Sequence, residues 1–190
     1  LRHLLDALWR ATLQRVLLVS SSAVYGEHGG DWVDEGTPPA PPGFNGAVLL
    51  EAEQWLAAQP VASIVLRLAG LYGPGRTQLL ERLRAGQLKV PRRVPHWANR
   101  IHVDDAAAAI VHLLSLAAPL PLYVGVDSMP LPLDALYDHL AGLIGAPLAG
   151  EGPAPAGIGS KRLSNARLRA SGFVPQWPDA RDGYAALLAT

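Results

Sequence analysis

The 190-residue sequence contains no cysteine, no long basic run and no long apolar run. The lack of cysteine excludes disulfide bonds and thiolate metal sites, and the scattered histidines give no support for another metal site. Lys plus Arg and Asp plus Glu both number 16, so the formal net charge is zero, which argues against a nucleic-acid partner. No apolar stretch approaches the roughly 18 residues of a membrane-spanning helix, so we expect no membrane partner either.

The sequence does not begin with methionine, and we expect no signal peptide at its start. Residues 1–6, LRHLLD, do not follow the basic and then apolar pattern of a secretory leader. We therefore expect a cytoplasmic protein, and we expect the sequence to begin inside a longer one. Apolar residues make up 49% of the chain, which is enough for a sizeable core.

Helix-like and strand-like segments alternate along the chain. Short apolar runs predict buried strands at residues 15–20, 63–68 and 122–126. Periodic apolar positions and capping residues predict helices at residues 1–14, 47–58, 77–85, 106–117, 133–144 and 180–189. A loop rich in Gly and Pro is expected at residues 26–46. Strands that alternate with helices indicate βαβ units, and therefore an α/β fold with a parallel sheet.

One predicted strand ends in a cluster of hydroxyl groups. Residues 16–26, VLLVSSSAVYG, run from an apolar stretch through three serines to a Tyr-Gly turn. Ligands of open α/β sheets bind outside the carboxyl ends of the strands. We therefore expect this strand to deliver serine hydroxyls to a cleft. We expect the ring of Tyr25 to pack beneath the loop, and a role as a general acid is the alternative.

Three segments of the chain resemble motifs of the extended short-chain dehydrogenase/reductase superfamily, in its NAD-dependent epimerase/dehydratase group. They are residues 16–26, residues 66–75, LRLAGLYGPG, and residues 100–105, RIHVDD. The resemblance implies a Rossmann-like, doubly wound parallel sheet with a small substrate lobe, and NAD or NADP as the cofactor. It implies that residues 1–150 form the carboxyl-terminal portion of the dinucleotide-binding domain, with an inserted lobe segment around residues 74–103. Residues 151–190 would then be a second segment of the substrate lobe.

The glycine-rich phosphate turn of that family is not found. A dinucleotide fold needs this turn after its first strand, so that the pyrophosphate can approach backbone N–H groups at a helix N-terminus. No G-x-G-x-x-G or G-x-x-G-x-x-G follows any predicted strand. In the family the turn lies upstream of the helix and strand with which this chain opens. We therefore expect an amino-terminally truncated member whose sheet lacks its first strands.

The catalytic Tyr-x-x-x-Lys of the family is absent as well. Residues 44–54 read FNGAVLLEAEQ, and alignment on the Glu-Ala-Glu places the tyrosine position on Asn45 and the lysine position on Leu49. No tyrosine occurs between Tyr25 and Tyr72, so another register does not restore the pair. In the family the tyrosine is the general acid/base, while the lysine lowers its pKa and holds the ribose.

The resemblance assigns roles to five residues. Ser21 stands where the family places its catalytic serine or threonine, although a serine that caps a strand end is the alternative. Ser20, beside it, is a candidate cofactor contact, with a structural role as its alternative. Gly70, Leu71 and Tyr72 match the loop that flanks the nicotinamide ring. Their backbone amides would contact the cofactor, and a plain Gly/Pro turn is the alternative.

Other polar residues of the motifs have simpler interpretations. No G-x-S-x-G elbow accompanies His102, so we expect a buried histidine bonded to the backbone rather than a member of a catalytic triad. Asp104 and Asp105 are expected to cap the helix that follows. Arg67 and Arg76 are expected to flank the cleft. Arg76 either meets a substrate phosphate or carboxylate, or is a solvated surface residue.

Three functions remain open. The first is an NAD(P)-dependent epimerase/dehydratase-like oxidoreductase that acts on a small carbonyl or sugar-derived substrate. The second is a catalytically inactive dinucleotide-binding or redox-sensing module, which the missing tyrosine and lysine favour. The third is a fragment that only self-associates. The resemblance also implies a homodimer formed through the helices at residues 1–14 and 47–58.

Overall fold

A computed structural model of the chain describes residue 3, residues 7–8 and residues 13–189. Most of the helix predicted at residues 1–14 lies outside the described residues. Within that range His3, Ala7 and Leu8 are described, and they are helical. The strands are β1 (Arg15–Ser21), β2 (Trp32–Val33), β3 (Ala62–Leu68), β4 (Gly70–Tyr72), β5 (Lys89–Val90), β6 (Trp97–Ala98), β7 (Arg100–His102), β8 (Leu122–Gly125), β9 (Leu131–Pro132), β10 (Gly150–Glu151) and β11 (Arg162–Leu163). The helices after residue 13 are α1 (Phe44–Ala57), α2 (Gln78–Arg84), α3 (Val103–Ser115), α4 (Leu133–Ile144), α5 (Ala166–Ala170) and α6 (Ala180–Leu188).

Three strands form the central sheet. β3 lies between β1 and β8, and both pairings are parallel. The register pairs Ser21 with Leu68 and Leu68 with Gly125, so the carboxyl ends of the three strands share one edge. α1 connects β1 to β3, and α3 lies between β3 and β8 in the chain. These connections confirm the predicted α/β fold with a parallel sheet.

Helices cover both faces of this sheet. α1 and α3 each pack against β1 and β3. Arg67 of β3 points towards α1, where it meets Glu53. Because side chains alternate along a strand, Leu66 and Leu68 point to the other face, into the core that contains Ala106 of α3. A sheet covered on both faces explains why its strands appear in the sequence as nearly continuous apolar runs.

A second core lies beside the sheet and is built mainly by α2, α4 and α6. Its buried members include Leu83, Leu136 and Tyr184. It draws on residues from both sides of the boundary predicted at residue 150, which stays a prediction. Short strands near this core form two pairs. β4 is parallel to β7, and β6 is antiparallel to β9.

Two helices start earlier than predicted. α1 begins at Phe44 and α3 begins at Val103, each three residues before the position expected from the sequence. At the start of α3, Nδ1 of His102 accepts a hydrogen bond from the backbone N–H of Asp104 at 3.2 Å. The histidine therefore takes the capping role predicted for the two aspartates. α4 has its predicted bounds and ends where Gly145 adopts a left-handed φ of 64°.

Candidate active site

A cavity of about 700 Å³ opens at the carboxyl edge of the central sheet. Ser21, at the end of β1, and Ala69 and Gly70, directly after β3, form part of its wall. Ser22, Ala23 and Tyr25, which follow β1, also line it, and the rest of the wall comes from residues 82–100 and 153–161 and from α4. This is the place where open α/β sheets bind their ligands, and the volume lies in the range of small-molecule sites.

Ser21 lies in this wall, where the sequence predicts a catalytic hydroxyl. It is half-buried and precedes a short 3₁₀ turn, Ser22–Val24. Its Oγ accepts a hydrogen bond from the backbone N–H of Ala23 at 3.1 Å. That bond uses a lone pair of the hydroxyl and leaves its proton available for donation. The capping role and a role towards a substrate are therefore compatible, and the catalytic role stays a prediction.

Ser20 points away from the cavity. Its side chain is buried, and its hydroxyl donates a hydrogen bond to Oε1 of Glu53 in α1. Neighbouring residues of a strand face opposite sides, which separates Ser20 from Ser21. The structure gives Ser20 a structural contact, and its predicted contact with a cofactor has no support from this position.

Arg67 lies in the interior rather than beside the cleft, which corrects the expectation from the sequence. Its guanidinium holds Glu53 in an ion pair of 2.6 Å and donates to the hydroxyl of Tyr25 at 2.8 Å. The Tyr25 hydroxyl in turn donates to the backbone carbonyl of Asp34 at 2.9 Å. Burial raises the pKa of Tyr25. Arg76 is an exposed residue and does not line the cavity.

The segment predicted as a cofactor-flanking loop begins as a strand. Gly70, Leu71 and Tyr72 form β4, and the backbone N–H of Gly70 donates to the carbonyl of Asn99 at 3.2 Å. Of the three residues, Gly70 lines the cavity. Tyr72 is buried and stacks on Tyr184 at a ring distance of 4.3 Å, and burial raises its pKa. The cofactor contacts of this segment stay a prediction, and the amide of Gly70 already has an acceptor.

The positions of the missing catalytic pair lie on the first turns of α1. Asn45 is exposed, and Leu49 is partly buried and packs against the core formed by the central sheet. Neither residue lines the cavity. No titratable side chain therefore stands where the family has its tyrosine and lysine.

The Ile-His-Val-Asp-Asp segment has structural roles. His102 is buried and contacts the ring of Tyr72 edge-on, as well as capping α3. The expected buried histidine is therefore confirmed. The carboxylate of Asp105 accepts the backbone N–H groups of Gln176 and Trp177 at 2.7 and 2.9 Å. Asp105 thus fastens the carboxyl-terminal segment to the start of α3, instead of capping the helix.

The basic residues of the cavity wall were missed by sequence reasoning. Lys161 is 3% exposed, and its ammonium donates to the carbonyl of Gly159 at 3.2 Å. Burial lowers the pKa of Lys161, and burial also lowers the pKa of nearby His96. Arg100 lines the same cavity. The available signal was the lysine in residues 161–165, Lys-Arg-Leu-Ser-Asn.

Two absences hold for the part of the chain that the structure describes. No group of three or more His, Asp or Glu side chains there is placed to bind a metal ion. None of the helices there combines the length and the hydropathy that crossing a bilayer requires.

The fold defines a Rossmann-like α/β protein with a cavity at the carboxyl edge of its sheet. A model of the NAD dependent epimerase/dehydratase family matches residues 1–121. The chain belongs to this family.

Three relatives match almost the whole chain. A solved NAD-dependent epimerase/dehydratase structure from Methylobacillus flagellatus is 43% identical with a TM-score of 0.86, covering 99% of this chain and 68% of that one. Protein YeeZ of Escherichia coli (strain K12) is 32% identical over an alignment of 184 positions, which covers 94% of this chain and 64% of that protein. The 3-diazoavenalumate denitrifying reductase of Streptomyces sp is 31% identical over an alignment of 205 positions, gaps included, which covers 95% of this chain and 67% of the reductase. The chain thus spans about two thirds of the length of each relative.

Proposed function

We propose that the protein is an NAD- or NADP-dependent oxidoreductase or epimerase that acts on a small carbonyl or sugar-derived substrate. The observation that carries this proposal is the position of Ser21 in the wall of the cavity, at the carboxyl edge of the parallel sheet. Membership of an NAD dependent family and a reductase among the relatives support it.

The residues present fit the nicotinamide end of such a cofactor. The cavity reaches the sheet edge at Ser21, Ala69 and Gly70, where a flat ring could lie against a wall of small side chains. The sequence has no glycine-rich turn for the pyrophosphate, so these residues would hold the ring end alone. When bound, the nicotinamide supplies a hydride donor or acceptor.

Ser21 would bind and orient the oxygen at the reacting carbon. Because its Oγ already accepts the N–H of Ala23, its own proton can be donated to a substrate carbonyl or hydroxyl oxygen. A donor fixed before the substrate binds needs little reorganisation when negative charge develops on that oxygen. Ser21 is in this way a positioned hydrogen-bond donor rather than a strong acid.

The proton source differs from that of the family's usual members. Tyr25 does not replace the missing tyrosine, because its hydroxyl donates to Asp34 and accepts from Arg67 in the interior. A serine hydroxyl is a far weaker acid than a tuned phenol, and general acid/base groups typically contribute about 10²–10⁴-fold to a rate. We therefore expect slow turnover.

The test uses the complete protein that contains this chain. Calorimetric titration with NAD and NADP measures cofactor binding, and the absorbance of the reduced nicotinamide follows hydride transfer to a panel of small aldehydes, ketones and sugar nucleotides. The expected result is binding of one dinucleotide and slow turnover of at least one carbonyl compound. Failure of the complete, folded protein to bind either dinucleotide would overturn the proposal.

The alternative is a dinucleotide-binding or redox-sensing module without catalysis. The exposed Asn45 and the packed Leu49, which occupy the places of the catalytic pair, favour it. The same experiment separates the two functions. Tight dinucleotide binding without turnover of any panel member would favour the module.

A homodimer through residues 1–14 and α1 is also proposed, on the family resemblance. Phe44 and Val48 of α1 are 80% and 46% exposed, which is a high exposure for large apolar side chains. Sedimentation equilibrium tests the proposal. A dimer that Phe44→Ser dissociates is expected, and a monomer at tens of micromolar would contradict it.

A further inference from the structure

Lys161 is the most deeply buried cation of the cavity wall. Its side chain is 3% exposed and has one hydrogen bond, at 3.2 Å to the carbonyl of Gly159, among the described residues. An ammonium has three N–H groups, so two remain available to a ligand. The only other lysine of the chain, Lys89, is exposed.

The charges around Lys161 are unbalanced. Among the described residues, the cavity wall contains one histidine, His96, and four Lys or Arg side chains, but no carboxylate. The four are Arg82, Lys89, Arg100 and Lys161. The acid whose charge acts on Lys161 is Glu27, which is exposed. Both oxygens of Glu27 already accept backbone N–H groups, from Gly29 at 2.7 Å and from Ser160 at 2.8 Å. Among the described residues Lys161 has no ion pair within 4.0 Å, so its charge is left for a ligand.

A buried ammonium without a counter-ion is costly, because desolvation disfavours its charged form. An anion that enters the cavity would supply the missing charge and two hydrogen-bond acceptors. Arg100, in the same wall, adds to the positive potential, although one of its Nη1 hydrogens is used by the carbonyl of Asn99 at 3.2 Å. The cavity therefore favours a negatively charged group close to Lys161.

The rest of the wall indicates what the anion is attached to. Large apolar side chains lie in the same cavity, among them Leu88, Trp97, Leu133, Tyr137 and Ile158. Such a lining suits a hydrocarbon or aromatic body better than the many hydroxyl groups of a sugar. Arg82 and Lys89, which could serve a diphosphate, are exposed residues.

We propose that Lys161 anchors the carboxylate of a small organic-acid substrate with an apolar body. This proposal rests on the proposed function, because it places the substrate of that reaction in the same cavity as Ser21. Lys161 is a binding residue in this scheme, and the reacting carbonyl lies at the other end of the substrate, towards Ser21.

The experiment compares benzoate with benzamide, which has nearly the same shape and no charge, on the complete protein, both without dinucleotide and with an excess of NAD or NADP. Charge-assisted hydrogen bonds contribute enough for about tenfold tighter binding of benzoate. Lys161→Met should abolish this preference, and Lys161→Arg should retain part of it. Arg93→Met removes one charge from an exposed residue outside the cavity and should leave the preference unchanged.

Equal binding of benzoate and benzamide by the unaltered protein would overturn the proposal, whatever the variants do. A preference for UDP-glucose over benzoate that Lys161→Met leaves intact would also overturn it. The two proposals fail separately. Dinucleotide binding without the benzoate preference removes the carboxylate site alone, whereas the preference without dinucleotide binding removes the proposed function and leaves Lys161 as an anion site.

Discussion

Arg67 and Glu53 form an ion pair in the interior, with side chains only 5% and 7% exposed and an N–O distance of 2.6 Å. The pair joins the central strand β3 to α1. Ser20 donates a hydrogen bond to Glu53, and Arg67 donates one to the hydroxyl of Tyr25. Every polar group in this network therefore has a partner, which is the condition under which buried charge is tolerated.

Arg67→Met should strongly destabilise the protein. The substitution leaves the Glu53 carboxylate buried without its cation, which costs about 3–5 kcal/mol in comparable cases. Urea unfolding followed by circular dichroism measures the free energy of unfolding. The exposed pair Arg93–Glu151 is the control, since Arg93→Met should change that free energy by about 0.5 kcal/mol or less. Equal effects of the two substitutions would show that the buried pair is not a stabilising unit.

Ser21→Ala and Ser20→Ala should have different effects. If Ser21 donates a hydrogen bond to the substrate, its loss should lower kcat by about tenfold to a hundredfold and leave dinucleotide affinity nearly unchanged. Ser20→Ala removes a buried contact of Glu53 and should lower stability by about 1–3 kcal/mol with little change in kcat. Steady-state kinetics measures kcat of both variants, and urea unfolding measures their free energies of unfolding. An active enzyme in which Ser21→Ala has no kinetic effect would exclude the proposed role.

Gly183→Ala should destabilise α6. A Cβ at this position would clash with the Tyr72 hydroxyl and lie 2.8 Å from its ring carbon Cζ. We expect a loss of about 1–3 kcal/mol, because the buried ring has to shift. Gly142→Ala in α4 is the matched control. Nothing lies within 4 Å of its new methyl group, and the gain in helix propensity should stabilise by about 0.5–1 kcal/mol. Thermal unfolding monitors both variants.

Tyr72→Phe provides a second check on that contact. The Tyr72 hydroxyl is buried and has no hydrogen-bond partner among the described residues. Its removal alone should therefore be neutral or stabilising. In the Gly183→Ala background it should restore part of the lost stability, since the closest clashing atom is gone. Additive effects of the two substitutions would contradict this explanation.

Asp127 should make stability fall as the pH rises from about 4 to about 8. Burial raises its pKa from 3.8 to about 8, so in this window the folded state binds a proton that the unfolded state has lost. Unfolding then releases a proton, and stability decreases by up to about 1.4 kcal/mol per pH unit. Asp127→Asn should flatten this slope, as measured by urea unfolding across the window. An unchanged slope in the variant would assign the effect to other groups.

Local sequence patterns were enough for the main elements of the fold. The apolar runs at residues 15–20 and 63–68 became β1 and β3, and the residues between Pro132 and Gly145 formed α4 as predicted. These patterns can be found in short stretches of sequence. A strand buried on both faces is a run of consecutive apolar residues, and a glycine marks the end of a helix. The absence of the catalytic tyrosine and lysine was likewise visible in the sequence alone.

The orientation of single side chains was decided only by the tertiary structure. Ser20 and Ser21 are adjacent in an all-serine stretch, yet one binds Glu53 and the other lines the cavity, because the pleat of β1 and the position of α1 set their sides. Arg67 was wrongly expected at the cleft, because the sequence alone does not show towards which side of β3 its side chain points. The burial of Lys161 in the cavity wall depends on loops far apart in sequence, and such long-range burial has no local pattern to reveal it.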